Sequence, residues 1–442
     1  MQYNTLFVQS LLAIFILIGF GFAASNYSDF LLKRKKTFQS ADSLRNRNDK
    51  TVDNTSPLKF AREKDLTNGE IQGISALDLA DVDGDGLVDV GVFDGGKHAE
   101  GRITFAWLQS PDDPASGSWK RHDLPLPTPF LPFIGAAKFG DVDHDGDSDL
   151  VVSMDNHSGP SMSAYLFWLE NQAQARQWVL HTIARDLPVH HINDMSLADM
   201  DGDGLLDVVV RALTPNQLMF YFQDESDVWF EKTIDTSPYK ANGEGFAIGD
   251  IDRYGQLDIS IAGHWLEAPN NPRQQDYTDH GIDIGYKEVN QNVKEDIGDI
   301  NGDGRNDVII SPAEGYRAGG NHELAWYAAP ADPTTTDVWK KHVLATNYNG
   351  GHTVRLADID HDGDLDIISG LAWNQWEQTQ CINIWYFNRT SGTYGDPQTV
   401  LTGKGLYSGT VGDIGNDGDL DIVGQNGYSG TSKPYFYENL LQ

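Results

Sequence analysis

"DVDGDGLVDV" occupies residues 81–90 and sets four aspartates, Asp81, Asp83, Asp85 and Asp89, ahead of an apolar run. Carboxylates this close repel one another, so the stretch needs either full exposure to water or a cation among them. The chain writes it seven times. The later copies are "DVDHDGDSDLVV" from Asp141, "DMDGDGLLDVVV" from Asp199, "DIDRYGQLDISI" from Asp250, "DINGDGRNDVII" from Asp299, "DIDHDGDLDIIS" from Asp358 and "DIGNDGDLDIVG" from Asp413. Successive copies begin 60, 58, 51, 49, 59 and 55 residues apart. A period of this size marks a repeat architecture.

Each period carries further strand-like segments. A short apolar run such as "ISALDLA" precedes the aspartates, and another such as "VDVGVF" follows them. A third is aromatic, as in "RITFAWLQ", "SAYLFWLE" and "INIWYFN". A fourth often reads Trp-x-x-His, as in "WKRHDL", "WVLHTI" and "WKKHVL". Gly, Pro, Asn and Asp clusters separate them, and no long segment of helical period interrupts them. The fold predicted is all-β: a seven-bladed β-propeller of four-stranded antiparallel blades. The last repeat stops at "KPYFYENLLQ" without a fourth strand, and "LKFAREKDL" from Leu58 reads as a spare one. Pairing the two closes the ring with an N-terminal strand and hides two sheet edges.

The spacing D-x-D-x-D-G-x-x-D matches the ligand order of a calcium loop. Side chains at positions 1, 3, 5 and 9 and the carbonyl at 7 supply hard oxygens, and glycine at 6 permits the turn. A solvated acidic hairpin is the alternative for one copy, whereas seven copies in phase favour calcium over magnesium or softer metals. About five sites are expected. They comprise Asp81, Asp83, Asp85 and Asp89; Asp141, Asp143, Asp145 and Asp149; Asp199, Asp201, Asp203 and Asp207; Asp299, Asn301, Asp303 and Asp307; and Asp358, Asp360, Asp362 and Asp366. The loop from Asp250 has Tyr254 at position 5, and that from Asp413 has Gly415 at position 3, so both are weak.

With these motifs the chain after residue 57 resembles the FG-GAP or VCBS repeat propellers, which include the calcium-binding head of integrin α subunits. The resemblance implies the propeller fold and calcium. It does not imply one activity, because that family holds adhesion modules, lectin-like proteins, polysaccharide lyases and a sugar dehydratase.

Net charge is −33, with 65 acidic against 32 basic residues, and the repeat positions account for 25 of the acids. Bound calcium would offset part of this charge, and the rest argues against nucleic acid and against adsorption to anionic membranes. The single cysteine, Cys381, permits no intrachain disulfide, and in an apolar strand it reads as a small core hydrophobe. Residues 1–25, with the apolar run at 6–24, read as a signal peptide or membrane anchor; residues 26–56 read as a polar tether and 57–442 as the propeller. "KRKK" at 33–36 by itself places the propeller in the cytoplasm. Calcium demand overrules it and favours a secreted or surface-anchored protein, and a monomer is expected.

Strand parity locates the ligand face. The calcium hairpins join strands 1 and 2, so the 2–3 loops and 4–1 crossovers share the opposite face. His122, His181 and His342 are equivalent fourth-strand residues, and His144 and His361 sit at position 4 of acidic loops. The remaining eight, His98, His157, His190, His191, His264, His280, His322 and His352, fall on the ligand face with Tyr277, Tyr316 and Trp376. The candidate bases and their neutralising cation are His190, His191, His264, His352 and Arg211; the candidate ligand-binding residues are Asp194, Glu244, Trp265, Glu314, Arg317 and Trp373. Histidines with a carboxylate are also a donor set for a transition metal, though their scattered positions argue against one. Two function classes remain: a binding module recognising a glycan or a protein, and a carbohydrate-active lyase or dehydratase using a histidine base.

Overall fold

The computed structural model describes residues 59–60, 63–71, 73–96, 101–128, 130–157, 162–225, 227–239, 244–286, 292–314, 322–372, 379–427 and 432–441. The expected leader and tether, residues 1–25 and 26–56, lie outside the described residues. No helix among the described residues is long and apolar enough to cross a membrane.

Seven four-stranded antiparallel sheets form the blades of a propeller. Blade 1 comprises Ala76–Ala80, Asp89–Asp94, Thr104–Gln109 and Lys120–Asp123; blade 2 comprises Phe133–Gly140, Asp149–Asp155, Ala164–Gln172 and Gln177–Leu187. Blade 3 runs through His190–Ala198, Asp207–Thr214, Gln217–Glu225 and Val228–Asp235; blade 4 through Ala247–Gly249, Asp258–Ile261, His264–Glu267 and Thr278–Gly281. Blade 5 is Asn292–Gly298, Asp307–Glu314, Leu324–Ala328 and Lys340–Ala345; blade 6 is Gly351–Ala357, Asp366–Leu371, Cys381–Trp385 and Gln398–Thr402. Blade 7 has Ser408–Gly412, Asp421–Gln425 and Pro434–Tyr437, and Lys64–Asp65 pairs antiparallel with the last of these. A bridge between Phe60 and Asn439 extends that pairing.

The apolar patterning follows from where each strand sits. The second strands lie between neighbouring blades and are buried on both faces, as in "DLVVSMD" at Asp149–Asp155. Strands covered on both sides read as continuous apolar runs. Fourth strands face water on one side, and "VWFEKTID" at Val228–Asp235 alternates accordingly. Among the described residues the core is divided into seven clusters, each between successive blades. That of blades 1 and 2 centres on Phe105, Trp107 and Phe167, and that of blades 7 and 1 on Leu66, Val90 and Phe436.

Four blades share one outer device. Trp107 stacks on His122, Trp168 on His181, Trp265 on His280 and Trp326 on His342, with ring centroids 4.0–4.6 Å apart. In three of them the histidine Nε2 meets a side chain two residues beyond the tryptophan: Gln109 at 3.1 Å, Glu170 at 2.8 Å and Glu267 at 2.8 Å. His280, expected on the ligand face, is therefore the blade 4 counterpart of His122, His181 and His342. Trp265, expected to bind ligand, is fully buried in the core between blades 4 and 5.

Candidate functional site

The innermost strands run from a mouth at their N-terminal ends to the acidic loops at their C-terminal ends. At the loop end, chain geometry repeats sevenfold. Position 6 is a glycine with φ between +84° and +98° in every loop (Gly86, Gly146, Gly204, Gly255, Gly304, Gly363 and Gly418), a region that disfavours side chains. Its N–H donates to the carboxylate at position 1, from Gly86 to Asp81 at 3.0 Å through Gly418 to Asp413 at 3.2 Å. Position 4 is also left-handed, which places the exposed His144 and His361 on the turn, away from the mouth.

The aspartate at position 9 has a role that metal spacing alone did not suggest. In six loops it accepts two backbone N–H groups, one from position 2 and one from the end of the third strand or just past it. Asp149 accepts from Val142 and Asn171, both at 2.8 Å, and Asp421 accepts from Ile414 at 3.0 Å and Asn439 at 2.8 Å. Asp307 accepts from Ala329 at 2.8 Å. The signal was in the sequence: position 9 is aspartate even in the two loops poor in other ligands, as expected of a residue that staples the fold. Burial raises these carboxyls in the ion-free chain, to about 7 for Asp89, Asp149, Asp207, Asp258 and Asp307 and to about 8 for Asp366 and Asp421.

Among the described residues, five loops bring three carboxylate oxygens within 4.8 Å of one another: Asp81, Asp83 and Asp85; Asp141, Asp143 and Asp149; Asp199, Asp201 and Asp203; Asp250, Asp252 and Asp258; and Asp358, Asp360 and Asp366. Asp81, Asp250 and Asp358 each keep a buried Oδ1 without a hydrogen-bond partner. An all-oxygen donor set with unsatisfied acceptors fits a hard cation such as calcium. The loop at Asp250, ranked weak from Tyr254, converges as well as the others, and Tyr254 itself points into solvent, 78% exposed. In the loop at Asp299, Asn301 accepts from Asp303 N at 2.9 Å, and Asp303 pairs with Arg305.

Between the two ends the innermost strands wall an axial cavity of about 470 Å³. Its mouth is bordered by Phe133, Asn193, Glu244, Lys294, His352 and Tyr407. Bulges at Ile192/Asp194 and Gly351/Thr353 interrupt the ladders beside Asn193 and His352; bulges re-aim side chains in this way. His352 stacks on Tyr407, centroids 4.2 Å apart. Asn193 donates to Glu244 at 2.8 Å. Lys294 lies 2.6 Å from Asp194 and 3.8 Å from Glu244. Burial opposes both charges of the Lys294–Asp194 pair, but their attraction prevails, raising the lysine and lowering the aspartate. Gly245 follows at φ +85°, where a Cβ would come within 2.0 Å of the Val293 carbonyl.

Beside the mouth, His157 and His191 pack on Phe133, and His190 packs on His191. The Nε2 atoms of His157 and His191 are 3.3 Å apart, and the rings of His190 and His191 are 5.0 Å apart. Buried Asp155 fixes this corner by accepting from His157 N at 2.6 Å and Ile192 N at 3.1 Å, and burial lifts its carboxyl to about 6. Both His157 and His191 adopt left-handed backbone, at φ 55° and 56°.

The remaining sequence candidates separate. Arg211 is wholly buried and donates to the carbonyls of Glu244 and Gly245, so it shapes the wall and cannot meet a ligand. Burial lowers it to about 10. His264 sits 3.0 Å from Asp279 and packs on Tyr239, and neither it nor Arg211 borders the mouth. His322 is buried ahead of the third strand of blade 5, and Tyr277 packs on Phe220. Glu314 ends the second strand of blade 5. His98, Tyr316, Arg317, Trp373 and Trp376 lie outside the described residues. Lys294 and Tyr407, absent from the candidates read in sequence, border the mouth. Their signal was position alone: Lys294 lies near the start of the innermost strand of blade 5, and Tyr407 immediately precedes that of blade 7. Cys381 is half-buried, and burial raises its thiol, in keeping with an inert residue.

A family model described as "FG-GAP-like repeat" matches residues 141–210 and 299–369. No curated protein matches the chain. Among solved structures, the rhamnogalacturonan lyase YesW is 14% identical at a TM-score of 0.45, over 86% of this chain and 74% of that one. BBS1N in complex with ARL6DN is 10% identical at 0.49, over 88% and 98%. A mutant α-L-arabinofuranosidase from Fusarium graminearum in complex with an iminosugar inhibitor is 10% identical at 0.49, over 87% and 98%. The chain is a seven-bladed β-propeller carrying FG-GAP-like repeats.

Proposed function

We propose that this propeller is held together by calcium at its acidic loops and recognises a neutral glycan at the opposite mouth. The observation that carries the reading is the axial cavity, bordered by Asn193, Glu244, Lys294 and the His352–Tyr407 stack. Polar groups around an aromatic face in a concave site suit a sugar ring. The cations that wall the cavity already have partners: Lys294 is held by Asp194, Lys138 by Asp78, and Arg355 donates to the Val354 carbonyl and attracts Asp296. That leaves little to neutralise a uronate or its enolate, which favours binding of an uncharged sugar over lyase chemistry. Calcium would be held by the carboxylates of the convergent loops at Asp81, Asp141, Asp250 and Asp358, where it cancels their repulsion. Loops of this kind fill where calcium is abundant, so the protein acts outside the cytoplasm, secreted or anchored by its N-terminal apolar segment.

The test is calorimetric titration with neutral and acidic oligosaccharides, alongside ultraviolet detection of unsaturated uronate ends. Neutral sugars should bind the parent, and Tyr407→Ala should weaken that binding at least about tenfold, the equivalent of about 1.4 kcal/mol. Binding indifferent to Tyr407, or cleavage of an acidic polysaccharide, would overturn the reading.

A further inference from the structure

The acidic loop of blade 3 differs from the others in what stands over it. The turn between the third and fourth strands of blade 4 crosses this loop and delivers Arg273. Its Nε pairs with Asp201, its Nη2 with Asp203 at 2.9 Å, and its Nη1 with Asp224. Nη2 also donates to the Gln223 carbonyl at 2.9 Å, and the guanidinium lies 5.6 Å from the Phe222 ring centroid. The turn is held independently of these contacts. Lys232 donates to the carbonyls of Pro272, at 2.8 Å, and Gln275, and Asn271 N donates to the Gln275 side chain at 3.0 Å. Arg273 therefore arrives pre-positioned.

Asp201 and Asp203 are positions 3 and 5, two of the three convergent carboxylates of that loop. The position 1 carboxylate differs from those of three of the convergent loops. Asp81, Asp250 and Asp358 each retain a buried unpartnered Oδ1, whereas Asp199 accepts from Gly202 N at 2.8 Å and Gly204 N at 3.0 Å, one on each oxygen, as Asp299 does from Asp303 N and Gly304 N. A guanidinium presents several donors in a planar fork and cannot be deprotonated near neutrality, so it can bridge two carboxylates as a permanent cation. We infer that Arg273 is the resident cation of this loop, holding Asp201 and Asp203 together without calcium, and that calcium binds there only by displacing it. This rests on the reading that the acidic loops bind calcium.

The full chain is titrated with calcium after chelation, and its melting is followed in calcium and in chelator. Arg273→Gln should raise the affinity of one site by about tenfold or more, because the competing cation is gone. The same variant should melt lower than the parent in chelator, with calcium restoring the difference. Adding Asp199→Asn should abolish the gained affinity and so assign it to this loop. Arg273→Lys keeps a charge without the fork and should fall between parent and Arg273→Gln, which guards against a general folding defect. Unchanged affinity at every site, or loss of a site in Arg273→Gln, would overturn the inference, since Arg273 would then be neutral toward the ion or its support. Absence of calcium binding by the parent at the loops of Asp81 and Asp358 would instead overturn the calcium reading, and Asp83→Ala and Asp360→Ala report on that separately.

Discussion

The two ends of the innermost strands are built on opposite principles. At the loop end, all seven blades repeat the same glycine, the same position 1 hydrogen bond and the same position 9 aspartate. At the mouth the chemistry does not repeat: Asn193 in blade 3, Glu244 in blade 4, Lys294 in blade 5, His352 in blade 6 and Tyr407 in blade 7. Repeated chemistry serves what every blade needs, which is closure of its hairpin and attachment to its neighbour. A site for one ligand needs unlike groups converging on one point, so it must break the repeat. The sevenfold end should therefore govern stability, and the irregular end should govern recognition.

The largest effect should follow removal of calcium from the loop end. A ligand that binds only the native state stabilises it by about 2.7 kcal/mol per site at a hundredfold excess over Kd. With several such sites, chelation should lower the melting temperature markedly, and an unchanged melting curve would remove calcium from the account of this end.

Asp421→Ala separates the staple from the metal. Its loop has Gly415 at position 3, but its carboxylate still accepts from Ile414 and Asn439. Two buried donors left without acceptors cost about 1–3 kcal/mol each. That loss should be the same in calcium and in chelator. Asp83→Ala should instead cost more in calcium. Denaturant titrations of both variants in both buffers check the contrast, which fails if Asp421→Ala is calcium-dependent.

A pH series sharpens the same point. In chelator the position 9 carboxyls titrate at about 7 to 8 in the native state, against about 3.9 for an unfolded aspartate. Between those values the native state binds more protons than the unfolded state, so stability should fall as pH rises from about 4 to about 8. Calcium favours the ionised form and should flatten the slope. Melting temperatures that rise with pH in chelator would contradict this.

Smaller effects belong to the outer stacks and the mouth. His181→Ala removes the ring from Trp168 and its contacts with Glu170 and Asp227, and should cost about 0.5–1.5 kcal/mol while leaving glycan binding intact. Asn193→Ala, which loses its hydrogen bond to Glu244, should change stability by less than about 1 kcal/mol yet weaken glycan binding. Should His181→Ala be the variant that loses ligand, recognition would lie on the outer strands, and the contrast between the two ends would fail.

The repeat carried the fold into the sequence. Seven copies of D-x-D-x-D-G-x-x-D at near-constant period are local statements, each closing its own hairpin, so blade number, strand order and the acidic loops could be read without tertiary information. Strand parity placed the candidate mouth opposite the loops by the same local logic. What the sequence could not separate was residues sharing a segment but not a surface. Trp265 and His280 share a segment with the candidates, yet the twist of blade 4 turns them into the outer Trp–His stack. Arg211 follows the third acidic loop, but packing of blade 4 encloses it against the carbonyls of Glu244 and Gly245. Lys294 and Tyr407 carry no motif; the ring brings them together from blades 5 and 7. Arg273 was silent for the same reason, since its partners Asp201 and Asp203 lie about seventy residues earlier and meet it only because blade 4 packs on blade 3. Sequence period determined what each blade repeats. Only the closure of the blades around one axis decided which of the unlike residues meet.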